Sequence, residues 1–123
     1  MNQTMKLLMN RKSIREYDRE RPIEDGVRQA ILNATMRAPT AGDMMLYSVI
    51  EVEDREKKEM LVKTCDDQPF IAKAPMVLLF LADYQRTFDY FQVSDVKSAC
   101  EKFGVDMRTP EEGDLFIACC DAP

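Results

Sequence analysis

The chain contains no histidine. That absence removes Ser-His-Asp and Cys-His nucleophile pairs from within it, and many hydrolase mechanisms with them. Its four cysteines, Cys65, Cys100, Cys119 and Cys120, have neither metal-ligand spacing nor the density of a secreted disulfide framework. Adjacent cysteines bridge only with strain, so Cys119 and Cys120, set in an apolar run, read as reduced core thiols of a cytoplasmic protein. No apolar run approaches membrane-spanning length, and the longest, residues 74–82, suits a buried strand. The opening MNQTMKLLMN lacks the long uncharged core and small-residue cleavage site of a signal peptide. Excess positive charge is missing too. A net charge of −5 argues against a nonspecific nucleic-acid binder, which needs a broad basic field, so any anion site must be local. Internal repeats and low-complexity tracts are not found.

What is present fits one domain. A chain of 123 residues falls within the usual domain range, and 46% hydrophobic with 32% charged residues is a globular composition rather than a disordered one. Met5, Leu8 and Met9 at helical spacing predict a short helix over 4–10 with Thr4 as its cap. Val27, Ala30, Ile31 and Ala34 define a helix over 24–37, closed by Pro39, and residues 39–43 form a breaker-rich loop. Residues 47–52 carry the β-branched content of a strand. Asp54 opens a second helical stretch to about residue 64, in which Lys57, Met60, Leu61 and Thr64 set the register. A loop carrying Gln68 and Pro69 follows. Residues 76–82 form an almost wholly apolar strand, which implies cover on both faces and a sheet sandwiched by helices.

Tyr84, Phe88, Phe91, Val96, Ala99, Cys100 and Phe103 predict helical structure up to Gly104, interrupted near Val93 and Ser94, with the aromatics serving packing. Asp114 is read as the cap of a last helix behind the solvated pair Glu111 and Glu112. That helix is barely two turns long and only two strands precede it, so the chain reads as a domain cut short.

The chemistry concentrates in ArgLysSerIleArg, residues 11–15. Basic residues just after a helix can simply offset the negative end of its dipole. They can also grip phosphate: guanidinium groups offer paired donors, lysine a point charge and serine a neutral donor. At about 1.5 to 3 kcal/mol per charge-assisted bond, three such contacts supply a large share of the roughly 8 kcal/mol of micromolar binding.

ArgLysSerIleArgGluTyr at 11–17, ArgProIle at 21–23, AlaProThrAlaGly at 38–42 and the segment from Gln68 to Asp83 together resemble, in order and spacing, the nitroreductase family of FMN-dependent oxidoreductases. The resemblance implies an α+β fold, a sheet flanked by helices, here incomplete at the C-terminus: a single nitroreductase-like domain over 1–123 whose C-terminal part is missing. It implies a homodimer that exchanges segments, with FMN at the subunit interface. Arg11, Lys12, Ser13 and Arg15 would then hold the FMN phosphate and ribityl chain, and the anion for that cluster would be the phosphate of FMN. Pro39, Thr40, Ala41 and Asp43 would lie near the flavin of the other subunit, and Gln68, in the family's Gln-x-aromatic position, would reach the ring or ribityl group. Where better-known members carry Asn, Gln, Pro and Trp, this chain has Asp43, Met45, Leu46 and Tyr47.

The implied activity is FMN-dependent transfer of reducing equivalents from NADH or NADPH to a nitroaromatic, quinone or similar acceptor. Because the flavin carries that chemistry, no catalytic side chain and no metal are named. Rival readings are a shortened, inactive flavin-binding or interaction protein and a thiol redox protein built on Cys119 and Cys120. Gln68 and Asp43 also have a plain reading as turn residues.

Overall fold

A computed structural model describes residues 1–18 and 20–122. Its described residues form α1 (Gln3–Asn10), α2 (Asp25–Thr35), a 3₁₀ turn (Ala41–Asp43), β1 (Tyr47–Glu51), α3 (Arg55–Thr64), α4 (Phe70–Lys73), β2 (Leu78–Ala82), α5 (Tyr84–Val93), α6 (Val96–Phe103) and α7 (Glu112–Asp121). They divide into two compact units, one of Met1–Ile23 with Glu53–Val77, the other of Glu24–Val52 with the chain from Leu78 onward.

In the first unit, α1 starts earlier than its apolar spacing indicates, because Asn2 rather than Thr4 is the cap: the Met5 N–H donates to Asn2 Oδ1 at 2.9 Å. Asparagine is among the best caps, and Thr4 falls inside the first turn. The helix ends where Arg11 becomes extended, its N–H donating to the Leu7 carbonyl. Helix α3 is capped as expected by Asp54, which accepts from the Lys57 N–H at 2.8 Å. Lys58 then reaches across to the carbonyl of Ala74 at 3.1 Å, tying α3 to the chain after α4. Helix α4 has four residues, too few to leave a helical period in sequence.

The second unit holds the sheet. Strands β1 and β2 pair antiparallel, with Tyr47 opposite Ala82, Val49 opposite Phe80 and Glu51 opposite Leu78. Side chains alternate across a strand, so Tyr47, Val49, Phe80 and Leu78 share one face, while Ile50, Leu79 and Leu81 share the other. Expected cover on both faces is not observed: Ile50, Leu79 and Leu81 are 47%, 38% and 38% exposed. An unbroken apolar run states that a strand can be covered twice, not that this chain does so.

Helix α7 packs on both strands and on α5, and the core gathers there: Leu46, Tyr47, Phe88 and Ala118 are buried. Phe88 meets Phe91 edge-on at 5.6 Å, which bears out their packing role. The break between α5 and α6 falls at Ser94 and Asp95, as expected. Gly104 ends α6 at φ 65, a left-handed position that leaves its N–H bonded to the carbonyls of Cys100 and Glu101.

Two expectations for α7 are corrected. Asp114 is not the first capping residue but stands inside the first turn, where its carboxylate accepts the Glu111 N–H at 2.9 Å in a capping box. It is fully buried, and Arg108 donates to it at 2.5 Å while lying 5.7 Å over the Phe88 ring. Cys119 and Cys120, expected in the core, are exposed, as is Cys65, while Cys100 is half-buried; all four are free thiols. The packed side of α7 is set by Asp114 and Ala118, four residues apart, and the adjacent cysteines fall off it.

Candidate functional site

The first unit carries Arg11, Lys12, Ser13, Arg15 and Gln68; the second carries Pro39, Thr40, Ala41 and Asp43. Each group has its own local logic.

Arg11 leaves α1 with extended geometry, and the following residues through Asp18 carry no regular secondary structure. Arg11, Lys12, Ser13 and Arg15 are all exposed. Among the described residues, no carboxylate pairs with the three cations, and the Ser13 hydroxyl has no hydrogen-bond partner. Arg11, Lys12, Ser13 and Arg15 fall within five consecutive positions. The segment therefore concentrates donors in an acidic protein without neutralising them internally, which fits the phosphate end of FMN.

Arg15 is the member of the cluster with a recorded aromatic neighbour: its guanidinium lies 5.7 Å over the Phe70 ring. Phe70 opens α4, two positions after Gln68. Gln68 itself is turned inward. Its backbone N–H donates to the Val62 carbonyl at 3.2 Å, and its side-chain amide donates to the Cys65 carbonyl at 2.9 Å. Asp66 and Asp67 adopt φ of 62 and 49, and those left-handed turns fold the loop back on α3. With one of its two amide protons given to Cys65, Gln68 retains its second N–H and its side-chain carbonyl as the groups able to meet a ligand.

The 39–45 loop of the second unit is bent by three left-handed residues in four: Gly42 at φ 60, Asp43 at φ 55 and Met45 at φ 49. Gly42 adopts this without strain, Asp43 tolerates it, and an unbranched non-glycine such as Met45 does so at a cost of about 1 kcal/mol. Surrounding bonds hold it there. The Met45 N–H donates to Thr40 Oγ1 at 3.3 Å, and Arg86 donates to the carbonyls of Met45 and Tyr47 at 2.8 and 3.0 Å. Thr87 donates to the Met44 carbonyl at 3.1 Å, and the Asp83 N–H to the Leu46 carbonyl at 2.9 Å. Ser48 donates its hydroxyl to Asp83, beside which Arg86 lies at 3.9 Å.

These bonds decide what the loop can present. The Ala41 N–H, at the open end of the 3₁₀ turn, donates to Asp121 at 2.7 Å and is taken. Thr40 Oγ1 accepts from Met45 but keeps its own proton to donate. Asp43 is exposed, and its carboxylate has acceptors but no donor to offer. Leu46 is 0% and Tyr47 2% exposed, so two of the positions that depart from better-known members are core residues rather than surface contacts. The Tyr47 phenolic oxygen is buried with no hydrogen-bond partner among the described residues.

Sequence reasoning missed Phe70, Arg86, Thr87 and Asp121. The last three act on residues 39 to 80 positions away, beyond any local spacing rule. Phe70 had a signal, the aromatic two positions after Gln68, but not a role.

The chain is 36% identical over 86 residues to the FMN reductase [NAD(P)H] of Bacillus subtilis, covering 70% of this chain and 34% of that protein. It is 33% identical over 86 residues to the NADPH-flavin oxidoreductase of Vibrio harveyi, covering 70% of this chain and 35% of that protein. Among solved structures, the NADPH:FMN oxidoreductase from Vibrio harveyi complexed with NAD+ superposes with a TM-score of 0.78 at 25% identity, over 98% of this chain and 46% of that one. The chain thus spans about a third of the length of these curated relatives and under half of that solved structure. The profile of the nitroreductase family matches residues 8–109, from before the basic cluster to beyond α6, and on that match the chain belongs to the nitroreductase family.

Proposed function

We propose that this chain binds FMN and takes part in an NAD(P)H-dependent oxidoreductase reaction on a nitroaromatic, quinone or similar acceptor. The observation that carries the reading is the cluster of Arg11, Lys12 and Arg15, exposed and without carboxylate partners among the described residues in a protein of net charge −5. Family membership and the names of the relatives support the same assignment.

FMN, when bound, would supply the redox chemistry between NADH or NADPH and the acceptor. The chain's own residues bind and orient. Arg11 and Arg15 meet phosphate oxygens through their guanidinium edges, Lys12 adds an unpaired positive charge, and Ser13 donates its hydroxyl. Gln68 would meet the cofactor with its carbonyl or its second amide proton. Pro39, Thr40, Ala41 and Asp43 would line the flavin of a second copy, Thr40 with a hydroxyl proton to donate and Asp43 with a carboxylate. No side chain is assigned proton transfer.

The working form in this reading is a cytoplasmic homodimer. Two open apolar surfaces favour association: Ile50, Leu79 and Leu81 on the sheet, and Leu7, Leu8 and Met9 on α1, which are 67%, 60% and 72% exposed. No helix among the described residues is long and apolar enough to cross a membrane.

A second reading, an inactive flavin-binding or interaction protein, is favoured by Asp43, whose carboxylate stands where better-known members have a neutral amide. Purified chain, saturated with FMN and passed through a desalting column, separates the readings. Retained flavin absorbance with NAD(P)H oxidation in the presence of a quinone supports the enzyme. Retained flavin without turnover supports the second reading as a flavin-binding protein, whereas a colourless chain from excess FMN contradicts the first reading and leaves the interaction protein.

A further inference from the structure

The central carbon of the Arg15 guanidinium lies over the Phe70 ring, 5.7 Å from its centroid, and the two residues belong to the same unit of the chain. We infer that Phe70 is a positioning residue for Arg15, holding its guanidinium over an aromatic ring so that the edge of the group stays free for the FMN phosphate. The inference rests on the phosphate reading of the preceding section.

A guanidinium has two separate binding directions. Its flat face is attracted to the electron-rich face of an aromatic ring, whereas its five N–H donors lie in its plane and point outward. A carboxylate partner for Arg15 would occupy those donors and compete with a phosphate. An aromatic partner leaves all of them available. Among the described residues no carboxylate pairs with Arg15, and the 5.7 Å separation from the Phe70 centroid is within cation–π range. The stacking also restricts a long exposed side chain before a ligand arrives, which lowers the ordering that binding must impose.

The loop geometry assigns the part to Phe70 rather than to Gln68. Gln68 turns its amide back to Cys65 and its backbone N–H to Val62, while Phe70 is half-buried and sits at the start of α4. The left-handed pair Asp66 and Asp67 makes the reversal that brings α4 back along α3.

The test compares Phe70→Leu, Phe70→Tyr and Arg15→Ala in the whole chain, with FMN and riboflavin as paired ligands read by quenching of flavin fluorescence. The Arg15 Nε–H chemical shift, read by NMR without flavin, reports the stacking itself. Expected are an upfield Arg15 signal that moves toward the random-coil position in Phe70→Leu and persists in Phe70→Tyr. FMN binding should weaken about two- to fivefold in Phe70→Leu, with riboflavin unchanged and Phe70→Tyr close to the parent. Equal weakening of both flavins would mark a merely structural role and overturn the inference. An unchanged FMN affinity in Phe70→Leu also overturns it, and the Arg15→Ala arm then locates the fault. Selective loss of FMN in Arg15→Ala leaves the phosphate reading standing, whereas no loss there removes both.

Discussion

Asp121, the last residue of α7, accepts the backbone N–H of Ala41 at 2.7 Å across eighty positions of sequence. The bond caps the 3₁₀ turn with a side-chain carboxyl oxygen and ties the loop to a helix that also packs on both strands. Replacing Asp121 by Ala should therefore cost about 1.5 to 3 kcal/mol, the range of hydrogen bonds to charged groups. The local signature is faster amide hydrogen exchange at Ala41 than at Val49 in β1. Unchanged exchange at Ala41 would mean that the capping contact does not form in solution.

Arg108 and Asp114 give an asymmetric prediction. Asp114 is fully buried while the Arg108 side chain is 48% exposed, so removing either partner leaves a different residue behind. Arg108→Ala strands a buried carboxylate with the Glu111 N–H as its remaining donor, and should cost about 3 to 5 kcal/mol. Asp114→Asn leaves a half-exposed cation that water can solvate, and should cost less. Urea denaturation of the two variants checks the order, and a milder loss for Arg108→Ala would contradict it.

Tyr47 predicts the opposite sign. Its hydroxyl is buried without a hydrogen-bond partner among the described residues, so removing it deletes a desolvated polar atom and no bond. Tyr47→Phe should be neutral or raise stability by about 1 kcal/mol. A clear drop in melting temperature would reveal a partner for that oxygen.

Much of the frame was legible from residue order, and the reasons differ by element. Asp54 caps α3 because a carboxylate before a run of helix formers has one strong use, and Gly104 ends α6 because glycine readily takes the left-handed turn found there. Thr4 failed as a cap because Asn2, two residues earlier, reaches the Met5 N–H first. Asp114 failed because acids favour the whole first turn, and spacing alone does not separate a cap from its third residue. Cys119 and Cys120 lay in an apolar stretch, yet a helix shows one side to the core, and here that side is Asp114 and Ala118.

The candidate site was legible where it is local. ArgLysSerIleArg needs only its own chemistry to be noticed. The support of the 39–45 loop by Arg86, Thr87 and Asp121 depends on long-range folding, and no spacing within the loop announces it. Arg86→Ala tests that support. It removes donors to two backbone carbonyls of a segment with left-handed Met45, and should speed amide exchange over residues 41–47 while leaving α3 unaffected. Uniform protection in both segments would show the loop to be self-supporting.

The most direct test of the functional account is flavin discrimination by the basic segment. In the double variant Arg11→Ala with Arg15→Ala, two charge-assisted phosphate contacts are lost, so FMN affinity should fall at least about tenfold while riboflavin affinity stays within twofold of the parent. Equal loss of both flavins, or no loss of either, would contradict a phosphate site at the end of α1.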